Sequence, residues 1–246
     1  MINSDPISPF REFFPTAELM LREIGVSVRV RTDFGALLDL NERHRHTSWS
    51  PLIPTFDPRH SRLNIEDAYW VEAVDRAGNT VATQATKLFD WRETNLADEI
   101  RSLRPFFADP APHLAEGSRI DFKDQGAHAV SGIVVAGGAV WVHPHYRRTG
   151  VALVVPKISR AHAYARWPIA GNWAVMEPKT LAQGFAEEHR LSIVGSLVFH
   201  LRAWRVDLPC YALWTLRTTA LGDLARMIDQ AKDTSRRLLT PPTIPV

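Results

Sequence analysis

The sequence predicts a mixed α+β fold, on three observations. Val26, Val28 and Val30 alternate with Ser27, Arg29 and Arg31, the period-two pattern of a half-buried strand. Residues 69–74 and 80–89 are strand-like runs on either side of Asp75-Arg76-Ala77-Gly78-Asn79, and a Gly-Asn pair in that position favours a hairpin turn. Residues 133–142 form an apolar strand that runs into Val142-His143-Pro144-His145-Tyr146-Arg147-Arg148-Thr149-Gly150-Val151-Ala152, which reads as a strand end, a tight turn and the start of a helix.

The other elements follow in order. Residues 1–25 read as a leader rich in Phe and Pro, with a short helix over 16–24. Asp33 stands where an N-cap belongs, before a helix carrying Leu37, Leu38 and Leu40, and a loop rich in His, Arg, Trp and Pro spans 44–63. A helix is expected over 96–107, with Leu96, Ile100, Leu103 and Phe107 on one side, and a Pro-containing loop over 109–117. Val151, Val154, Val155, Ile158, Ala161 and Ala165 share one face of the next helix. Pro156 interrupts it at a cost of roughly 3 kcal/mol, which predicts a kink or wide turn. A strand over 173–176, a helix over 179–190, closing strands over 193–205 and 211–217 around Pro209, an amphipathic helix over 221–237 and a Pro-bearing tail complete the chain.

Composition narrows the function classes. The 246 residues are 45% hydrophobic and 23% charged, ordinary for a globular chain. A net charge of +2 gives no global argument for nucleic acid as a partner. Cys210 is the one cysteine, so no intrachain disulfide forms; within its apolar surroundings it reads as a buried structural thiol. No signal peptide opens the sequence, and the longest apolar run, 129–142, is too short to cross a membrane. The expectation is a cytoplasmic protein with no membrane partner.

The turn between Arg147 and Ala152 carries the chemistry. Arg-x-x-Gly-x-Ala at a helix start aims several backbone N–H groups one way, a socket for a pyrophosphate. With Val142, Pro144, Tyr146, Arg147, Gly150 and Ala152 in register, the segment resembles the acyl-CoA signature of the GNAT superfamily of N-acyltransferases. The resemblance covers roughly residues 26–217 and implies a mostly antiparallel central sheet flanked by helices. Residues 91–127 are then an insertion before the fourth strand, and 218–246 an added C-terminal helix and tail.

The resemblance also implies a function: transfer of an acyl group, most simply acetyl, from acetyl-CoA or another acyl-CoA to a primary amine on a small molecule or peptide. Trp141, Val142 and His143 would form the strand edge for the pantetheine arm. Arg147, Arg148, Thr149, Gly150, Val151 and Ala152 would hold the pyrophosphate, a side chain at Gly150 obstructing it, and Lys179 stands where the family often has an Asn. Family members often pair, so a homodimer is expected.

Two departures bear on catalysis. The strand over 133–142 lacks the carboxylate that the family often uses as base, and Ala186 stands where its general-acid Tyr belongs. The replacement candidates are His143, Glu177 and Tyr211. The loop bearing His44, His46, Trp49 and Asp57 often touches the acceptor in the family, and its spacing fits no strong zinc pattern. Arg147, Arg148, Lys157, Arg160 and Arg166 read as a solvated helix face, or as a basic patch attracting CoA phosphates or an acidic carrier protein. Alternative readings are a non-catalytic acyl-CoA-binding or regulatory protein, and an acyltransferase resembling acyl-homoserine-lactone synthases.

Overall fold

The computed structural model describes residues 8–202 and 206–239. Its strands are β1 (Ser27–Arg31), β2 (Ala68–Val74), β3 (Thr80–Trp91), β4 (Arg119–Asp124), β5 (Gly132–Val142), β6 (Gly171–Met176), β7 (Ser192–Leu201) and β8 (Val206–Leu216). They form one sheet in the order β1-β2-β3-β5-β6-β8-β7-β4. Every described pair is antiparallel except β5 with β6. A parallel pair needs a crossover, and the helix α5 (Val151–Arg166) supplies it.

The remaining helices are α1 (Ser8–Glu23), α2 (Phe34–His44), α3 (Leu96–Ser102), α4 (Ala111–Ala115), α6 (Pro178–Leu181), α7 (Phe185–Glu188) and α8 (Arg217–Leu239). Successive residues of a strand face opposite sides of its sheet, and β2 illustrates how this sorts the two cores. Tyr69 is buried under α5 and donates from its hydroxyl to the Ser159 carbonyl at 2.5 Å. Trp70 is buried on the other face and donates from Nε1 to the Asp33 carbonyl at 2.9 Å, which ties down the start of α2. The first core joins α1, α5 and α8 through Phe13, Ile158 and Leu224. The second joins α2 and α3 through Leu37 and Ile100 to Phe56, Trp173 and Phe199.

Local signals and structure agree at several points. Asp33 caps α2, its carboxylate accepting from the Ala36 N–H at 3.1 Å. Gly78 takes φ +84° in the hairpin turn, a conformation that costs glycine little.

Elsewhere the structure corrects the reading. The first helix starts at Ser8, well before residue 16. The helix expected to reach 107 stops at Ser102, where Leu103 turns left-handed at φ 62°. The expected loop over 109–117 holds α4, and β4 emerges from the same insertion to become an edge strand beside β7. The helix expected over 179–190 is two short ones, parted by Gly184 at φ +81°.

Helix α5 runs unbroken through Pro156. Ala165 is exposed, whereas Lys157, Ser159 and Arg160 are buried, so the helix is covered on more sides than one apolar stripe requires. Pro209 lies inside β8 rather than between strands. It pairs with Val198 of β7, while β6 reaches only to Tyr211, so proline's missing N–H falls where no second neighbour needs it. Helix α8 covers the chain's own core through Ala220, Leu224 and Met227. No described helix is long and apolar enough to cross a membrane.

Candidate functional site

The site is built where β5 and β6 part. Their pairing runs only from Val134 opposite Gly171 to Gly137 opposite Ala174, although β5 continues to Val142 and β6 to Met176. The separation has a local cause. Ala139 takes φ 50° and the β3–β5 register shifts beside it, a bulge that bends β5 away from its parallel neighbour. Thr83 Oγ1 donates to the Ala139 carbonyl at 2.7 Å and holds the bulge. Gly138 admits the ring of Phe56 so closely that any Cβ there would collide with it. The opening between the strands is a cavity of about 1200 Å³.

The loop over residues 45–53 spans this opening. On the β5 side Trp141 Nε1 donates to Ser48 Oγ at 3.1 Å, and Arg147 Nη2 donates to the Ser48 carbonyl at 3.3 Å. On the β6 side Lys179 Nζ donates to Ser50 Oγ at 3.4 Å. Asn41 fixes the root of the loop, donating to the Ser50 carbonyl at 2.9 Å and accepting from the Leu52 N–H at 3.3 Å. Trp49 stacks on Trp141 with centroids 5.3 Å apart, and His44 lies 4.5 Å from the same indole. Burial, with His143 and Arg43 nearby, lowers the His44 pKa. Asp57 is buried and accepts from Arg59 instead of facing the cavity.

At the mouth the chain turns into α5 through two left-handed residues, Arg148 at φ 65° and Gly150 at φ +92°. The N–H groups of Arg148, Gly150, Val151 and Ala152 have no backbone acceptor among the described residues, whereas that of Thr149 reaches the Tyr146 carbonyl at 3.4 Å. A helix start also carries partial positive charge, so this turn suits an anion. A Cβ on Gly150 would meet no protein atom within 4 Å, so within the protein it is the positive φ that demands glycine.

The structure divides the residues singled out from sequence. Trp141, Val142, Arg147, Arg148, Ala152, Glu177 and Lys179 line the cavity. Thr149, Gly150 and Val151 belong to the turn at its mouth. His143 does not line the cavity: its backbone N–H donates to the Val81 carbonyl, and its ring lies 5.1 Å from that of His145. Tyr211 lines a separate hollow of about 440 Å³ with Phe122, Pro178 and Pro209. Glu177 faces the cavity and pairs with Lys179 at 3.0 Å. Ala186 is buried against Met176 and Leu213.

Sequence reasoning missed part of the wall: Gln84, Ser159, Asn172 and Cys210. One signal was available, since Ala152, Pro156, Ser159 and Ala163 recur at helical spacing and all line the cavity. Burial pushes the Cys210 thiol up to about 12, so it stays protonated. Arginines 45, 147, 148 and 160 with Lys179 face a lining whose one carboxylate among the described residues is Glu177.

No protein-family model matches the sequence, and no curated protein matches it. Solved structures do match. Arabidopsis thaliana NAA60 in complex with acetyl-CoA superposes with a TM-score of 0.52 at 15% identity, covering 78% of this chain and 99% of that one. The same protein in complex with a bisubstrate analogue gives 0.50 at 16% identity, covering 78% and 97%. At these identities the likeness is one of fold, and together with the sheet order and the parted strands it gives this chain a GNAT-like fold.

Proposed function

We propose that this protein is an acyl-CoA-dependent N-acyltransferase whose donor lies between β5 and β6. The observation that carries the reading is the continuity of the parted strands with the free N–H groups at the start of α5. One end suits phosphate, and the other admits a thin extended arm. The NAA60 structures with acetyl-CoA and with a bisubstrate analogue support acetyl-CoA or another acyl-CoA as co-substrate.

In this reading the N–H groups of Arg148, Gly150, Val151 and Ala152 bind the pyrophosphate, and Arg147, Arg148 and Lys179 offset its charge. The backbone of β5 beyond Gly137, through Trp141 and Val142, has no partner toward β6 and pairs with the pantetheine amides as an added strand would. The amine nitrogen attacks the thioester carbon and a C–N bond forms. A free N–H of the same edge stabilises the oxyanion. The C–S bond then breaks, the amine's proton passes to Glu177 directly or through water, and the departing thiolate takes a proton from solvent. Most of the acceleration comes from holding the two reactants together.

The acceptor is a small-molecule or peptide amine. The excess of arginine and lysine over carboxylate in the cavity disfavours a polycationic one. A second reading, an acyl-CoA-binding protein without turnover, is favoured by the ion pair that occupies Glu177 and by Ala186 in place of the family's Tyr.

Thermal unfolding with acetyl-CoA tests the donor site. Ligand at a hundredfold excess over Kd should add about 2.7 kcal/mol and raise Tm by roughly 5–10 °C. Gly150→Glu, which sets a negative charge in the anion's place, should abolish the rise. An unchanged Tm with every acyl-CoA would sink the proposal. In an amine panel, Glu177→Gln should lower kcat by about 10²–10⁴ while leaving acetyl-CoA affinity intact. Binding without turnover by the unaltered protein would select the second reading.

A further inference from the structure

The cavity does not end where β5 and β6 part. Thr86, Ser159, Arg160 and Asn172 belong to its wall, yet they lie where the sheet is still closed: Thr86 pairs with Gly137 and Asn172 with Val135. The bond of 2.8 Å between Thr86 Oγ1 and Ser159 Oγ sets α5 over this part. Arg160 follows the first residue of α5 by nine positions, about 13 Å at 1.5 Å per residue. This arm is therefore set well back from the pyrophosphate turn, within the reach of the acyl end of an extended donor.

Its wall is polar and incompletely satisfied. Arg160 is 7% exposed, and Nη1 donates to the His189 carbonyl at 3.1 Å. Its nearest carboxylate, Asp223, lies 3.8 Å away and is already bonded to the buried Lys157. The other guanidinium donors have no acceptor among the described residues. Gln84 adds a buried Oε1 without a partner among the described residues. An apolar acyl chain in this arm would leave all of these groups dry, an expensive arrangement. Two buried cations sharing one carboxylate instead call for an anion.

We propose that this arm receives the acyl group of the donor and selects one ending in a carboxylate, a dicarboxylic acyl thioester, with Arg160 binding that carboxylate. The proposal rests on the acyl-CoA reading above and names its donor class.

Calorimetric titration of the full chain with acetyl-, butyryl- and succinyl-CoA tests it. Butyryl and succinyl match in carbon number and differ in the terminal carboxylate. Succinyl-CoA should bind roughly tenfold or more tightly than butyryl-CoA, as expected for a charge-assisted hydrogen bond. Arg160→Gln should erase that difference while acetyl-CoA affinity stays within about twofold, and Arg160→Lys should keep part of it. Butyryl-CoA binding as tightly as succinyl-CoA would overturn the proposal, and this comparison on the unaltered protein needs no variant to fold. Equal loss of all three affinities in a folded Arg160→Gln would also overturn it. Failure of all three to bind the unaltered protein would instead reject the donor site itself.

Discussion

The mouth and the floor of the cavity use the same residue types under opposite conditions. At the mouth, Arg147 and Arg148 are exposed, and water screens their charge. At the floor, Arg160 lines the cavity and Lys157 lies behind it; they come from the same stretch of sequence but are 7% and 2% exposed, with Asp223 of α8 as their carboxylate. A charge at the mouth acts on what arrives from solvent. A charge at the floor must be compensated for the fold to stand, and here compensation is partial. Loss of the compensating charge at the floor should therefore register as stability, and substitutions at the mouth as binding alone.

The largest expected effect is at the floor. Asp223→Ala leaves Lys157 and Arg160 buried without a carboxylate and should cost about 3–5 kcal/mol, read as a lower urea midpoint. A cost below 1 kcal/mol would mean that the cations do not depend on Asp223.

Next comes a pH effect from the same neighbourhood. His189 is fully buried, and among the described residues neither ring nitrogen meets a partner in good hydrogen-bond geometry, although the Ala152 backbone lies close enough to favour the proton weakly. Burial first, then the nearby Arg160 and Lys157, pushes its pKa down to about 2. The unfolded chain takes up a proton near pH 6.5 and the folded one does not, so stability falls as pH drops through the window from 6.5 toward 2. By pH 4.5 the loss should reach about 3 kcal/mol. His189→Leu should flatten this acid limb in urea titrations at stepped pH; an unaltered limb would place the ring in contact with water.

The smallest effect belongs to the mouth. Arg148→Ala should change stability by no more than about 0.5 kcal/mol. It should weaken acyl-CoA binding by roughly three- to tenfold at low salt, and by less at high salt. A large loss of stability would break the distinction between the two ends.

What was legible in the sequence was what neighbours along the chain decide. Asp33 before an apolar helix is a cap wherever it occurs, and alternation over 26–31 marks a strand without reference to its partner. The turn from Val142 to Ala152 carries its own Gly, Pro and Arg pattern, so the junction between β5 and α5 was legible. Strand β4 was not legible. Its sequence, Arg-Ile-Asp-Phe-Lys-Asp, is the charged pattern of an edge strand, and it pairs only with β7, far along the chain. The short span of α6 and α7 was missed because periodicity does not register a left-handed residue such as Gly184.

Lys157 and Arg160 mark the boundary most clearly. In sequence they join Arg147, Arg148 and Arg166 in one basic run, and nothing local separates them. The sequence by itself determined most of the element types, the cap on α2, the hairpin and the turn into α5, because those follow from backbone preferences and periods within a dozen residues. The tertiary structure alone decided which basic residues meet water. Burial is set by the elements that close over a side chain, and here those are the end of α7 and the helix α8, which lie about 25 and 60 residues further along the chain, beyond the reach of any local pattern.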